Sequence, residues 1–264
     1  MAVFDDYRAY RQFSRSIKGK YRYVASPQST KFLEALRKLI TTNEASLATG
    51  AIMVRCQLGH SYRPLEDDKG NKIDEIPCGH PEERMKPLPG KAREGRVNPK
   101  GIPYLYLSND LKTAIAEARP SIGQYVSLGY FRVNRDCRLV RFTIRRRGSV
   151  IYLSSPPKEK IDRLVWEDVN MAFSMPVQPD DETSDYAPMQ VIAEYIKSLS
   201  YDGIVYRSRL GPGLNIALFD LDAADLKSCG LYQIDSIKYT HSQADNPYFV
   251  PQKRKRRNKK TSKR

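Results

Sequence analysis

GRVNPKGIPYLYLSNDLKTAIAEARP, residues 95–120, decides the fold class. Asn98-Pro99-Lys100-Gly101 is turn chemistry, because Pro presets one dihedral and Gly accepts a positive one. YLYLS (104–108) then reads as a strand. Asp110 stands where it can cap a short helix through Arg119, and Pro120 stops that helix. Strands come after it, not a second helix. QYVSLGYFRV (124–133), CRLVRFTI (137–144) and SVIYLSS (149–155) are strand candidates separated by turn-length gaps. A doubly wound parallel sheet needs strands and helices in regular alternation, and that beat is missing. The expected class is α+β, with a split, mainly antiparallel β core and flanking helices.

Outward from that segment, residues 28–43 place Phe32, Leu33, Leu36, Leu39 and Ile40 on one helical face, with Ser29 or Thr30 as cap. Residues 159–175 and PMQVIAEYIKSL (188–199) also read as helices, the second with Pro188 in its first turn. AIMVRCQL (51–58), GIVYRS (203–208), LNIALFD (214–220) and YQIDSIKYTH (232–241) read as strands. Residues 60–100 are rich in Pro, Gly and charge, show no period, and are expected to be structureless. The domain reading is an N-terminal appendage with one helix (1–45), one catalytic domain (46–243) and a disordered basic tail (244–264).

The chain has 264 residues, of which 40% are hydrophobic, which excludes wholesale disorder. No apolar run approaches the ~18 residues of a membrane span. The N-terminus, MAVFDDYRAYRQF, lacks the cationic-then-apolar order of a signal peptide. A soluble cytoplasmic protein without a membrane partner is expected. The net charge is +15, but residues 251–264 hold nine basic residues and no acidic one, which leaves the rest at +6. Such a tail attracts nucleic acid nonspecifically and in a salt-sensitive way. The four cysteines are scattered and are expected to be reduced. Cys56 with His60 and Cys78 with His80 supply the atoms of a zinc site, but their spacings match no standard finger. A plain loop is the expectation there, and zinc the alternative.

Three segments concentrate polar chemistry. In GAIMVRCQLGHSYR, Arg55 interrupts an apolar strand, which is costly unless the guanidinium meets an anion. Its planar fork suits a phosphate. In the segment 95–120, Arg96 and Asn98 precede the strand, and Glu117 sits among small apolar neighbours where a carboxylate can do electrostatic work. In YDGIVYRSRLGPGLNIALF (201–219), Ser208 ends one strand and Asn215 begins the next, across a Gly-rich turn able to cradle a phosphate. A serine nucleophile with a histidine base is unattractive, since His60, His80 and His241 all lie away from these segments.

Together these segments resemble the RES domain family, named for its Arg, Glu and Ser. The resemblance rests on Arg55, GRVNPKGIPYLYL (95–107), TAIAEARP (113–120), QVIAEYI (190–196), YDGIVYRS (201–208) and GLNIALF (213–219), in that order. It runs from about residue 50 to 220. It implies a compact fold similar to ADP-ribosyltransferases and an enzyme that degrades NAD⁺ by phosphorolysis or hydrolysis. It also implies a toxin held by an Xre-type antitoxin, with no tightly bound cofactor and inorganic phosphate as a co-substrate. Transfer of ADP-ribose to a protein is the alternative, and nucleic-acid binding through the tail a second one. Carried over by position, Glu117, Arg55 and Ser208 would be catalytic. Arg96, Asn98, Tyr106, Tyr206, Gly213 and Asn215 would bind substrate. The founding Arg maps onto Arg55 or Arg96. Tyr106 would line the pocket beside the nicotinamide ribose.

Overall fold

The computed structural model of the chain describes residues 2–88, 90–143, 156–175 and 183–243. Helices α1 (Ala9–Gly19) and α2 (Pro27–Thr42) lead into β1 (Glu44–Leu47) and β2 (Ile52–Leu58). A hairpin of β3 (Ser61–Glu66) and β4 (Lys72–Cys78) comes next, then the one-turn helix α3 (Glu82–Met85). After it stand β5 (Leu105–Ser108), α4 (Leu111–Ala118), β6 (Tyr125–Val133) and β7 (Cys137–Phe142). The described chain closes with α5 (Lys158–Ser174), α6 (Ala187–Ser198), β8 (Gly203–Arg207), β9 (Leu214–Leu218) and β10 (Ala224–Gln233).

The α+β class holds. The main sheet runs β1-β7-β8-β9-β5-β2-β6-β10, and every described pairing in it is antiparallel except β7 with β8. The sheet is also split. β2 pairs with β6 over Ile52–Leu58, yet meets β5 at one position, Val54 opposite Ser108. Beyond that point β2 and β5 part, and the candidate site occupies the gap.

Period-two alternation divides the core between the two faces of the sheet. Val140, Phe142, Ile204, Tyr206 and Ala217 point to one face, where they meet α1, α2, α5 and α6. Leu139, Val205, Ile216 and Leu218 point to the other, with Phe131, Val133 and Met85. Phe142 stacks on Phe173 of α5 with ring centroids 4.5 Å apart. Removing the ring of a buried Phe such as Phe173 costs about 3–5 kcal/mol. Among the described residues no helix is long and apolar enough to cross a membrane.

Four expectations change. Residues 1–45 carry two helices, because Tyr10, Phe13 and Ile17 make a narrow apolar stripe between arginines. Phe13 stacks on Phe32 at 4.4 Å, so both helices share the core of α5 and α6. The cap of α2 is Ser26, whose Oγ accepts from the Ser29 N–H at 3.1 Å, because Pro27 already has helical φ and starts the helix early. Residues 61–78 form a hairpin, not a loop. Its side chains are mostly exposed, which removes the apolar alternation that marks a strand, and Asp67 and Gly70 turn it. The last strand is 224–233, not 232–241. It is a sheet edge whose residues are half-exposed, so the pairing with β6 locates it better than its own polarity does. The strand expected over 149–155 and the tail 244–264 lie outside the described residues.

Candidate functional site

A cavity of about 320 Å³ opens where β2 leaves β5, under α4. That is within the ordinary size of a small-molecule pocket. Arg55, Arg96, Tyr106, Glu117, Tyr206 and Asn215 line it. The chain spacing between these residues reaches 160 positions, and the sheet order brings them together.

Glu117 is held by two donors. Ser208 Oγ donates to Glu117 Oε1 at 2.7 Å, and Asn215 Nδ2 donates to the same oxygen at 2.6 Å. The donors sit on the adjoining ends of β8 and β9, and both are buried. Glu117 Oε2 has no hydrogen-bond partner among the described residues and is the oxygen left for a ligand. Ser208 Oγ in turn accepts from the N–H groups of Leu210 and Gly211, each at 3.0 Å, which fixes the direction of its own proton toward Glu117. Ser208 therefore stands behind Glu117 rather than in the cavity lining.

The turn behind Ser208 is welded to the start of α4. Asp110 caps α4 by accepting from the Thr113 N–H at 2.8 Å and from Thr113 Oγ1 at 2.7 Å. Thr113 Oγ1 also accepts from the Gly213 N–H at 2.8 Å. Gly213 thus shapes the turn without lining the cavity. The helix that carries Glu117 and the turn that carries its donors are tied together by hydrogen bonds. Arg119, left-handed at φ 50°, closes α4 just after Glu117.

Two arginines line the same cavity as this carboxylate. Arg55 Nη1 donates to the Tyr106 carbonyl at 3.0 Å, bridging the gap that the parted strands leave. Its Nε is buried and unpartnered among the described residues. Burial lowers the Arg55 guanidinium to about 10, so it stays cationic at neutral pH. Arg96 Nη1 donates to the Phe173 carbonyl at 2.6 Å, and its guanidinium lies over the Tyr206 ring at 5.5 Å. Arg96 Nε is likewise buried without a partner among the described residues. Two buried N–H groups without partners, on two residues that line one cavity, are what an anionic ligand can satisfy. Burial also pushes up the Tyr206 phenol; the Arg96 guanidinium works against that rise, and the charge of Glu117 adds to it.

Asn98 lines a neighbouring cavity rather than this one. Its amide donates to the carbonyls of Arg93, Pro99 and Ile102, and its Oδ1 accepts from Tyr106 OH at 2.8 Å. Those bonds use up its donors, so it positions Tyr106 and does not line this cavity. Burial raises the Tyr106 phenol, which keeps its proton for that bond. Gln190 carries no role on sequence, yet its Nε2 lies 2.9 Å from the Gly95 carbonyl and 3.1 Å from that of Asn98, and so fastens the turn that presents Arg96. Its signal is a buried amide on the apolar face of α6, beside Ala193.

The histidines of the zinc alternative have other partners. His80 spends its ring on Ser61 Oγ at 2.9 Å and the Leu58 carbonyl at 3.2 Å. His60 packs edge-on against Tyr62 and Tyr125. No three His, Cys, Asp or Glu side chains among the described residues are gathered to hold a metal.

The RES domain family model matches residues 73–240, well over half of the chain. Arg96, Glu117, Ser208 and Asn215 fall inside the match, and Arg55 precedes it. No curated protein matches the chain. Among solved structures the chain is similar to one described as the crystal structure of the M. tuberculosis MbcT–MbcA toxin–antitoxin complex. The identity is 15%, the coverage 75% of this chain and 92% of that one, and the TM-score 0.40.

Proposed function

The chain belongs to the RES domain family, and from that premise and the geometry of the cavity we propose that it cleaves the bond between nicotinamide and ribose in NAD⁺. The observation that carries the reading is Glu117, held through Oε1 by Ser208 and Asn215 with Oε2 left open, in one cavity with two arginines whose buried Nε–H groups have no partner among the described residues.

The chemistry fits those groups. When the C–N glycosidic bond breaks, its electron pair goes to the pyridinium nitrogen and neutral nicotinamide leaves. Positive charge develops on the ribose as an oxocarbenium ion. Glu117 Oε2 stabilises that charge and accepts a hydrogen bond from a ribose hydroxyl. Arg55 and Arg96 neutralise the pyrophosphate, so binding energy far from the scissile bond serves orientation. Tyr106, fixed by Asn98, packs beside the nicotinamide ribose. An oxygen nucleophile then attacks the ribose carbon and loses its proton. Inorganic phosphate as acceptor gives a phosphorylated ADP-ribose, and water gives ADP-ribose. Consumption of NAD⁺ makes the chain a toxin to the cell that carries it, which calls for an antitoxin protein that covers the cavity.

The test is incubation of the purified protein with NAD⁺, with and without inorganic phosphate, and mass spectrometry of the products. Free nicotinamide in either tube supports the proposal, and the second product identifies the acceptor. Intact NAD⁺ in both tubes, with label from NAD⁺ appearing on a protein in lysate, replaces it with ADP-ribosyl transfer.

A further inference from the structure

A second cavity of about 340 Å³ adjoins the first. Arg55 and Tyr106 line both. Its outer wall is made by Arg84, Lys86, Lys91 and Arg93, with Gln57 beside them and Glu83 as the one carboxylate. Lys86 is engaged by Asp225 at 3.5 Å and Asp222 at 3.9 Å. Arg84, Lys91 and Arg93 have no ion pair among the described residues. Their segment is anchored through its backbone instead: Gln57 Nε2 donates to the Arg84 carbonyl, and Asn98 Nδ2 donates to that of Arg93 at 3.0 Å. The backbone is thus fixed while three cationic heads stay free.

This matters for any dinucleotide held by Arg55. With nicotinamide and its ribose beside Glu117, the pyrophosphate lies at Arg55 and Arg96. The adenosine end then passes the Arg55–Tyr106 boundary into the second cavity. The two negative charges of the pyrophosphate are already matched by the two arginines of the first cavity. Three further unpaired cations are in excess for NAD⁺, whose adenosine is neutral. They suit an adenosine that carries a phosphate of its own. Resting on the reading of the first cavity as a nicotinamide-dinucleotide site, we propose that the second cavity binds the 2′-phosphate of NADP⁺, and that Arg84, Lys91 and Arg93 make the enzyme prefer the phosphorylated dinucleotide.

The test uses the full chain and two ligands that cannot turn over, adenosine 2′,5′-bisphosphate and adenosine 5′-monophosphate, titrated calorimetrically. The bisphosphate is expected to bind at least about tenfold more tightly, since each charge-assisted contact to a phosphate contributes materially. The preference is expected to shrink as salt rises from about 0.05 to about 0.5 M. In the triple variant Arg84→Gln, Lys91→Gln, Arg93→Gln the ratio should fall to about one. These side chains are exposed, and an unchanged melting temperature confirms that the variant folds. Equal affinities in the wild type, or a preference kept by the triple variant, overturn the proposal. So does a ratio of one together with oligonucleotide binding that the triple variant loses, which makes the wall a polyanion surface. Turnover of NAD⁺ and NADP⁺, measured separately, tests the first cavity. A protein that cleaves NAD⁺ without distinguishing the two nucleotides loses this proposal alone.

Discussion

Glu117→Gln separates charge from shape at the centre of the site. The amide oxygen can still accept from Ser208 Oγ and Asn215 Nδ2, which both bond Oε1 in the wild type at 2.7 and 2.6 Å. Folding therefore changes little, and the melting temperature should fall by no more than about 2 °C, which in a chain of 264 residues is a loss of about 1 kcal/mol or less. The transition state loses a unit negative charge beside the oxocarbenium. At about 4 Å and an effective dielectric near 20, that interaction is about 4 kcal/mol. The corresponding loss of rate is about a thousandfold. It should appear in kcat and in kcat/KM alike, because the substrate ribose is not yet an oxocarbenium when NAD⁺ binds. The assay is release of nicotinamide from NAD⁺ under saturating and limiting substrate. A Glu117→Gln protein that melts normally and keeps more than a tenth of wild-type kcat would refute the electrostatic role. A variant that raises KM alone would make Glu117 a binding group.

The same contacts set other outcomes. Gly211→Ala puts a Cβ 2.5 Å from Thr113 Oγ1 and 2.6 Å from Thr113 Cα, so thermal unfolding should show a loss of about 2 kcal/mol or more, with activity falling as α4 shifts. Asp110→Ala removes the cap of α4 and should cost about 1 kcal/mol in denaturant titration. The Asp110 carboxyl lies below its ordinary value because Thr113 Oγ1 and then the Thr113 N–H bond its charged form. A depressed carboxylate stabilises fully above its unfolded value of about 4, and that contribution fades as the pH falls through the lower folded value. Asp110→Asn should flatten this acid-side dependence, and an unchanged slope would count against it. Burial pushes the Cys56 thiol up to about 12, so its alkylation by iodoacetamide at pH 8 should be slower than in denatured protein by about a thousandfold, read by peptide mass spectrometry.

Much of the fold was legible because the relevant signals are local. The apolar stripe of α2, the Asp110 cap and the Pro120 stop each act within a few residues, and each appears where its residue types place it. The hairpin of β3 and β4 escaped because a strand exposed on both faces has no alternation to read. Helix α1 escaped because three apolar residues among arginines are a faint stripe until a partner helix gives them somewhere to go.

The candidate site divides the same way. Sequence alone marked Arg55 as a charge in an apolar strand, Glu117 as a carboxylate among small residues, and Ser208 and Asn215 as the two sides of a turn. It could not assign their division of labour. That Ser208 and Asn215 converge on one oxygen of Glu117 depends on β8 and β9 ending beside α4, with Thr113 tying Gly213 to that helix. That Asn98 holds Tyr106 from behind the first cavity depends on three carbonyls brought to its amide by the turn. The cavity itself belongs to no single segment. It exists because β2 and β5 meet only at Val54 and Ser108 and then part. Residue types and their spacing determine local conformation and the available chemistry. Strand order and the parting of two strands are long-range choices, decided where the whole core packs, and they fix which of those groups share a site.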